Sequence, residues 1–240
     1  MKIIGLDSSG LTASVALVSD SVLTAEYTVE YKKTHSQTLL PMLDEIKRMC
    51  ELDLSKVDAI AVASGPGSFT GLRIGSATAK GLALALDIPI VEVPTLEGIA
   101  MNMWGSEKLI CPLMDARRDQ VYTAIYEFKG MGKDYRLNAL LAPCAVSVEE
   151  LLINVNAFGR EIIFLGDGAP VHEKYICDNV KERFSFAPAG RNRQRGANIA
   201  LLGEIYFSEG KGIDPDLHAP EYFRVSQAER EKAEREGRAK

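Results

Sequence analysis

The run Gly65-Pro66-Gly67-Ser68-Phe69-Thr70-Gly71-Leu72-Arg73-Ile74-Gly75 has residue types and spacing that could hold an anion. It follows the apolar stretch Ala59-Ile60-Ala61-Val62-Ala63, which predicts a buried strand. It leads into residues 76–86, whose composition predicts a helix. A strand, a glycine-rich turn and a helix start present backbone N–H groups at a dipole-positive helix end, with hydroxyls beside them. Gly67 and Ser68 are the candidate phosphate contacts, and Ser68 and Thr70 are both candidate N-caps. The same glycines equally describe a tight turn before a capped helix, with no ligand. No lysine follows the last glycine of a G-x-x-x-x-G frame, so the run is not a P-loop.

The elements around this run set out a repeated order. Strands are expected at 2–7, 14–18 and 23–31, then a helix from Thr38 with Pro41 in its first turn, where a missing N–H costs nothing. A strand at 59–64, a helix at 71–86, a strand at 89–93 and a helix from Thr95 complete the first half. The second half predicts strands at 109–115, 121–128 and 135–142, with a hairpin loop at 129–133. Ser147 and Glu150 form a capping box for a helix to about 155. A strand at 162–165, a helix at 171–183, a strand at 184–187 and a helix at 197–208 follow, Gly210 being the expected C-cap.

Two tandem βββαβα units point to a two-lobed α/β architecture of the actin-like ATPase (ASKHA, ribonuclease H-like) class. The expected boundaries are an N-terminal lobe at 1–105, a C-terminal lobe at 106–216 and a charged tail or helix at 217–240. In actin-type ATPases the turn after the first strand reaches metal and phosphates through an acidic residue and small hydroxyls. Asp7, Ser8, Ser9 and Thr12 could do so here, with Gly166-Asp167-Gly168 as the second phosphate turn; inherited turn geometry alone also accounts for them.

Bulk properties narrow the classes. With 240 residues, 46% hydrophobic and 25% charged, the chain can bury a proper core. A net charge of −5 argues against broad, unaided nucleic-acid binding. Cys50, Cys111, Cys144 and Cys177 are far apart and read as buried thiols of a reducing compartment. A strand entered at once leaves no room for a signal peptide, and no apolar run approaches the roughly 20 residues of a membrane span, so a cytoplasmic protein is expected.

The run at 65–75, Gly5-Leu6-Asp7-Ser8-Ser9, His35-Ser36-Gln37-Thr38-Leu39-Leu40-Pro41, Val93-Pro94-Thr95-Leu96-Glu97-Gly98, Asp115-Ala116-Arg117-Arg118-Asp119-Gln120-Val121-Tyr122 and Pro220-Glu221-Tyr222-Phe223-Arg224 resemble the bacterial TsaB (YeaZ) family. The matches run in order along nearly the whole chain. The resemblance implies a part in making N6-threonylcarbamoyladenosine (t6A) in tRNA, at the adenosine 3′ of the anticodon where codons begin with A. It implies a non-catalytic subunit that dimerises with the transferase TsaD, a paralogue, and works with the ATPase TsaE. In isolation it implies a homodimer, with tRNA reached only through the complex.

The residues agree with a subunit that does no chemistry. Thr95 and Ile99 stand where the paralogue has two histidines, whose i,i+4 spacing would hold a metal on one helix face. His35, His172 and His218 are widely spaced and read as surface or capping residues. No cofactor is expected tightly bound; ATP or ADP would sit at the interface of the assembled complex. Helix 38–50 has more apolar positions than one stripe needs: Leu39, Leu43, Ile46 and Cys50 form a face, and Leu40, Met42 and Met49 fall off it. With Ile74 and Thr78 of the small-residue-rich helix 71–86, Leu39, Leu40, Met42, Leu43 and Ile46 make the expected partner interface. Arg191, Arg193 and Arg195 are candidate tRNA contacts. The competing reading is an ATP-dependent actin-type kinase or ATPase acting alone; a peptidase lacks any legible catalytic arrangement.

Overall fold

The computed structural model describes residues 1–31, 33–130 and 136–223. The first sheet is built from β1 (Lys2–Asp7), β2 (Ala13–Ser19), β3 (Val22–Val29), β4 (Ala59–Gly65) and β5 (Ile90–Pro94), closed at its edge by β11 (Gly212–Ile213). The second comprises β6 (Leu109–Asp115), β7 (Gln120–Lys129), β8 (Arg136–Ser147), β9 (Ile162–Leu165) and β10 (Phe184–Phe186). Their orders, β5-β4-β1-β2-β3 and β10-β9-β6-β7-β8, are the same order twice, with two antiparallel and two parallel pairings in each. The duplicated pattern expected from the sequence is therefore the architecture. Of the tail expected at 217–240 only residues 217–223 are described; residues 224–240 and part of the 129–133 loop lie outside the described residues.

Alternation along the central strands explains the layers. Ile4 and Leu6 of β1 pack with α1 (His35–Met49) and α2 (Phe69–Leu86) on the outer face. Ile3 and Gly5 turn inward, onto α6 (Gly196–Ser208). In the second sheet Leu109, Cys111 and Leu113 face α4 (Val148–Phe158) and α5 (Gly168–Asn179). Ile110 and Met114 face α3 (Thr95–Ala100). The middle layer is thus α3 on the second sheet and α6 on the first, each crossing from the other unit. The helix expected at 197–208, within the 106–216 lobe, accordingly returns to the first sheet as α6, followed by β11, a two-residue strand the sequence did not suggest. Gly98 permits this crossing, since a Cβ there would stand 2.6 Å from Ile199 Cδ1. Asn198 Nδ2 donates across it to Gly98 O and Asn102 Oδ1, both at 2.9 Å.

Several expected boundaries move for local reasons. α1 starts three residues early because Thr34 is its N-cap and Gln37 Oε1 accepts the Thr34 N–H at 3.4 Å. Pro41 therefore falls in the second turn, where it withholds a donor from the Gln37 carbonyl. Ser68, not Thr70, caps α2. Cys111 is the one fully buried cysteine; all four are free thiols and Cys177 is exposed.

Candidate functional site

The β1–β2 turn sits on the start of α2 by direct backbone contact. Asp7, at the end of β1, is buried; its Oδ1 accepts from Ser9 N at 2.9 Å and Ser9 Oγ at 2.6 Å, and its Oδ2 has no protein partner. Burial pushes this carboxyl up to about 6, against the two Ser9 donors. Ser8 Oγ donates to Gly71 O at 2.8 Å, and Ser68 N donates to Ser9 O at 2.7 Å. A Cβ on Gly67, Gly71 or Gly75 would lie 2.4, 2.1 and 2.5 Å from Ser9 O, Ser8 O and Ser8 Oγ. Glycine is required here so that two backbone segments can touch. Of the two readings of the glycine run, this packing favours the capped turn.

The second turn is not where the sequence placed it. Gly166-Asp167-Gly168 follows β9, so by strand order it is the counterpart of Gly65-Pro66-Gly67. The counterpart of the β1–β2 turn is 115–120, where Asp115 Oδ1 accepts the Arg117 N–H at 2.7 Å. Arg117, Arg118 and Asp119 there all have positive φ, near 60°. Gly166 also has positive φ (99°) and would clash with Leu113 O through a Cβ. Its N–H donates to Asn192 Oδ1 at 2.6 Å. Asp167 Oδ1 is buried without a protein partner, and burial pushes this carboxyl up to about 6 as well.

The segment after β10 spans both turns. Asn192 holds Gly166, and two residues on, Gln194 is fully buried against Gly10, where a Cβ would stand 2.3 Å from Gln194 Nε2. Neither amide atom of Gln194 has a protein partner. The arginines expected to meet tRNA are turned to internal use. Arg193 Nε donates to Glu30 Oε2 at 2.7 Å, Arg195 is paired with Glu26, and Arg191 Nη1 reaches Asn102 O at 3.4 Å. Only the charge of this loop was legible in the sequence. Asn192 and Gln194 carried no signal beyond being amides just before the small-residue start of α6.

The expected partner face divides. Leu39, Met42, Leu43 and Ile46 are buried in the first lobe's core, so Met42 is not spare apolar surface as its position suggested. Leu40 (53% exposed) and Met49 (69%) remain outside, and Ile74 and Thr78 are half-buried. On α2 the exposed positions include Ala77, Gly81 and Leu84, and a Cβ on Gly81 would meet nothing within 4 Å. Thr95 and Ile99, on α3, are closed within the layer between the sheets. The histidines differ from the sequence reading: His172 and His218 are buried, and His218 Nδ1 lies 2.6 Å from Glu92 Oε1. His35 Nε2 lies 2.9 Å from Gly10 O.

The C-terminal segment ties the two lobes at this end. Glu221 N donates to Ser64 O at 2.7 Å, and Tyr222 stacks on Phe69, their centroids 4.6 Å apart. Phe223 meets Tyr122 of β7 edge-on.

The family model for TsaD, tRNA N6-adenosine threonylcarbamoyltransferase, matches residues 23–231. The tRNA threonylcarbamoyladenosine biosynthesis protein TsaB of Bacillus subtilis is 34% identical, over 95% of this chain and 96% of its own length. The TsaB of Haemophilus influenzae is 36% identical, over 87% of this chain and 84% of its own. The crystal structure of YeaZ from Pseudomonas aeruginosa superposes with a TM-score of 0.78 at 24% identity, covering 92% of this chain and 99% of that one. The chain belongs to the TsaB (YeaZ) family of tRNA threonylcarbamoyladenosine biosynthesis and shares the fold of YeaZ.

Proposed function

We propose that this chain is a non-catalytic subunit that docks on the threonylcarbamoyl transferase TsaD and activates it for transfer to the adenosine 3′ of the anticodon in tRNAs reading codons that begin with A. The observation that carries this reading is the burial of Thr95 and Ile99 between the two sheets, where imidazoles would be needed to hold a metal. The contribution is differential binding: contacts that favour one conformation of the partner shift it toward that conformation. The exposed positions of α1 and α2, with Leu40, Ala77, Gly81 and Leu84, are the docking face; small residues there let another helix approach closely. A second copy takes the same face in a homodimer. TsaE and tRNA are reached through the assembled complex in the cytoplasm, and ATP or ADP belongs to its interface.

Leu40→Glu/Leu84→Glu tests the reading. Sedimentation with TsaD should show association weakened at least tenfold, about 1.4 kcal/mol. Reconstituted t6A formation, with the adenylate-forming enzyme supplied, should fall in step. Unchanged association, or full transfer by TsaD without this chain, refutes it. ATP turnover by the chain alone, lost on Asp7→Ala, would instead establish the kinase or ATPase reading.

A further inference from the structure

The fold class implies a magnesium–nucleotide in the cleft between the β1–β2 turn and the turns of the second sheet at 115–120 and 166–168, and the residues present do not fit one. We propose that residues 191–195 are an internal plug that closes the nucleotide cleft of this chain and excludes a nucleoside di- or triphosphate from it.

The plug takes polar groups or space at two turns of that cleft, the one after β1 and the one after β9. Asn192 Oδ1 occupies the Gly166 amide at 2.6 Å, and the buried Gln194 side chain fills the space over Gly10. Between them the segment is anchored at several points. Asn102 Nδ2 donates to Arg193 O at 2.8 Å, Arg193 pairs with Glu30, and Arg195 pairs with Glu26. Glu26 also accepts the Ala197 N–H at 3.0 Å, so the end of the plug is continuous with α6. The α2 side is closed too, because Ser68 N is bonded to Ser9 O.

Charge points the same way. A polyphosphate would approach the buried carboxyl of Asp7 and the half-buried one of Asp167, while the nearby Arg193 is already neutralised by Glu30.

The test compares the full chain with Asn192→Gly/Gln194→Gly by titration calorimetry against Mg·ADP. The wild type should show no saturable binding to about 1 mM, and the double variant should bind at least tenfold more tightly. Binding by the wild type below that concentration, or no gain in a variant whose circular dichroism matches the wild type, overturns the plug. Amide exchange gives a readout independent of the variant's folding. Gly166 should exchange slowly in the wild type and be unchanged by Mg·ADP, and Asn192→Ala should speed it about tenfold or more. Fast exchange in the wild type, or new protection from nucleotide, also refutes the proposal. Either result stands apart from whether the chain activates TsaD.

Discussion

The two strand-end turns begin with the same local device and end in opposite environments. Asp7 and Asp115 each close β1 and β6, and each accepts the N–H two residues on. Leu6 faces outward, so the next residue, Asp7, points into the middle layer and is buried. Met114 already holds the inward position in β6, so Asp115 falls on the other face and is exposed. A difference of one residue in where the strand stops reverses the face of its last side chain. The first turn is then sealed against the glycine run of α2, while the second carries two arginines in left-handed conformation. Duplicated topology has preserved the turn without preserving a site.

Substitution at the two helix starts should expose that difference most. Gly71 of α2 and Gly168 of α5 both lie in a first turn. An added methyl at Gly71 meets Ser8 O at 2.1 Å, whereas at Gly168 the nearest atom, Asp115 N, is 3.1 Å away. Alanine ordinarily favours a helix by up to about 1 kcal/mol over glycine. Overpacking against backbone reverses the sign, so Gly71→Ala should destabilise by about 3 kcal/mol and Gly168→Ala by about 1. Urea unfolding midpoints measure both; equal losses would mean the first turn is no tighter than the second.

Burial of Asp7 makes a pH prediction of nearly the same size. Its carboxyl rises from 3.8 to about 6 on folding, so the folded state favours the neutral acid. That contribution is present below about 4 and is lost as pH rises through 6. At 1.36 kcal/mol per pH unit the displacement is worth roughly 3 kcal/mol. Asparagine keeps the Oδ1 acceptor without the charge, so the stability of Asp7→Asn relative to wild type should grow by roughly that amount between pH 4 and 7. A flat difference would place Asp7 in contact with solvent or a cation.

The sequence was most legible where one local pattern suffices. The strand and helix order, the Ser147–Glu150 cap and the Ser68 cap follow from residue type and spacing alone. Pro41 misled the start of α1, because the Thr34–Gln37 pair outweighs a proline placed on an exposed turn. The crossing of α3 and α6 between lobes was not legible. Both helices are apolar on most sides, and periodicity reports burial without saying against which sheet. The plug was missed for a related reason: Asn192 and Gln194 act through contacts with Gly166 and Gly10 that are remote in sequence. Met42 looked spare because a single stripe was assumed, while it is buried in the first lobe's core.

The smallest effect tests the looser turn. Arg117, Arg118 and Asp119 hold φ values of 61°, 57° and 56°, a conformation that places each Cβ against the following carbonyl. For an L-residue this costs about 1–2 kcal/mol, and glycine escapes it. Glycine also adds freedom to the unfolded chain, an opposing loss of about 0.5–1 kcal/mol. Arg118 is exposed, so its side chain has little packing to forfeit. Arg118→Gly should therefore stabilise the chain by about 0.5 kcal/mol, read as a small rise in the thermal midpoint. A clear loss would show that Arg118 makes a contact its exposure does not suggest, and the second turn would then be built as tightly as the first.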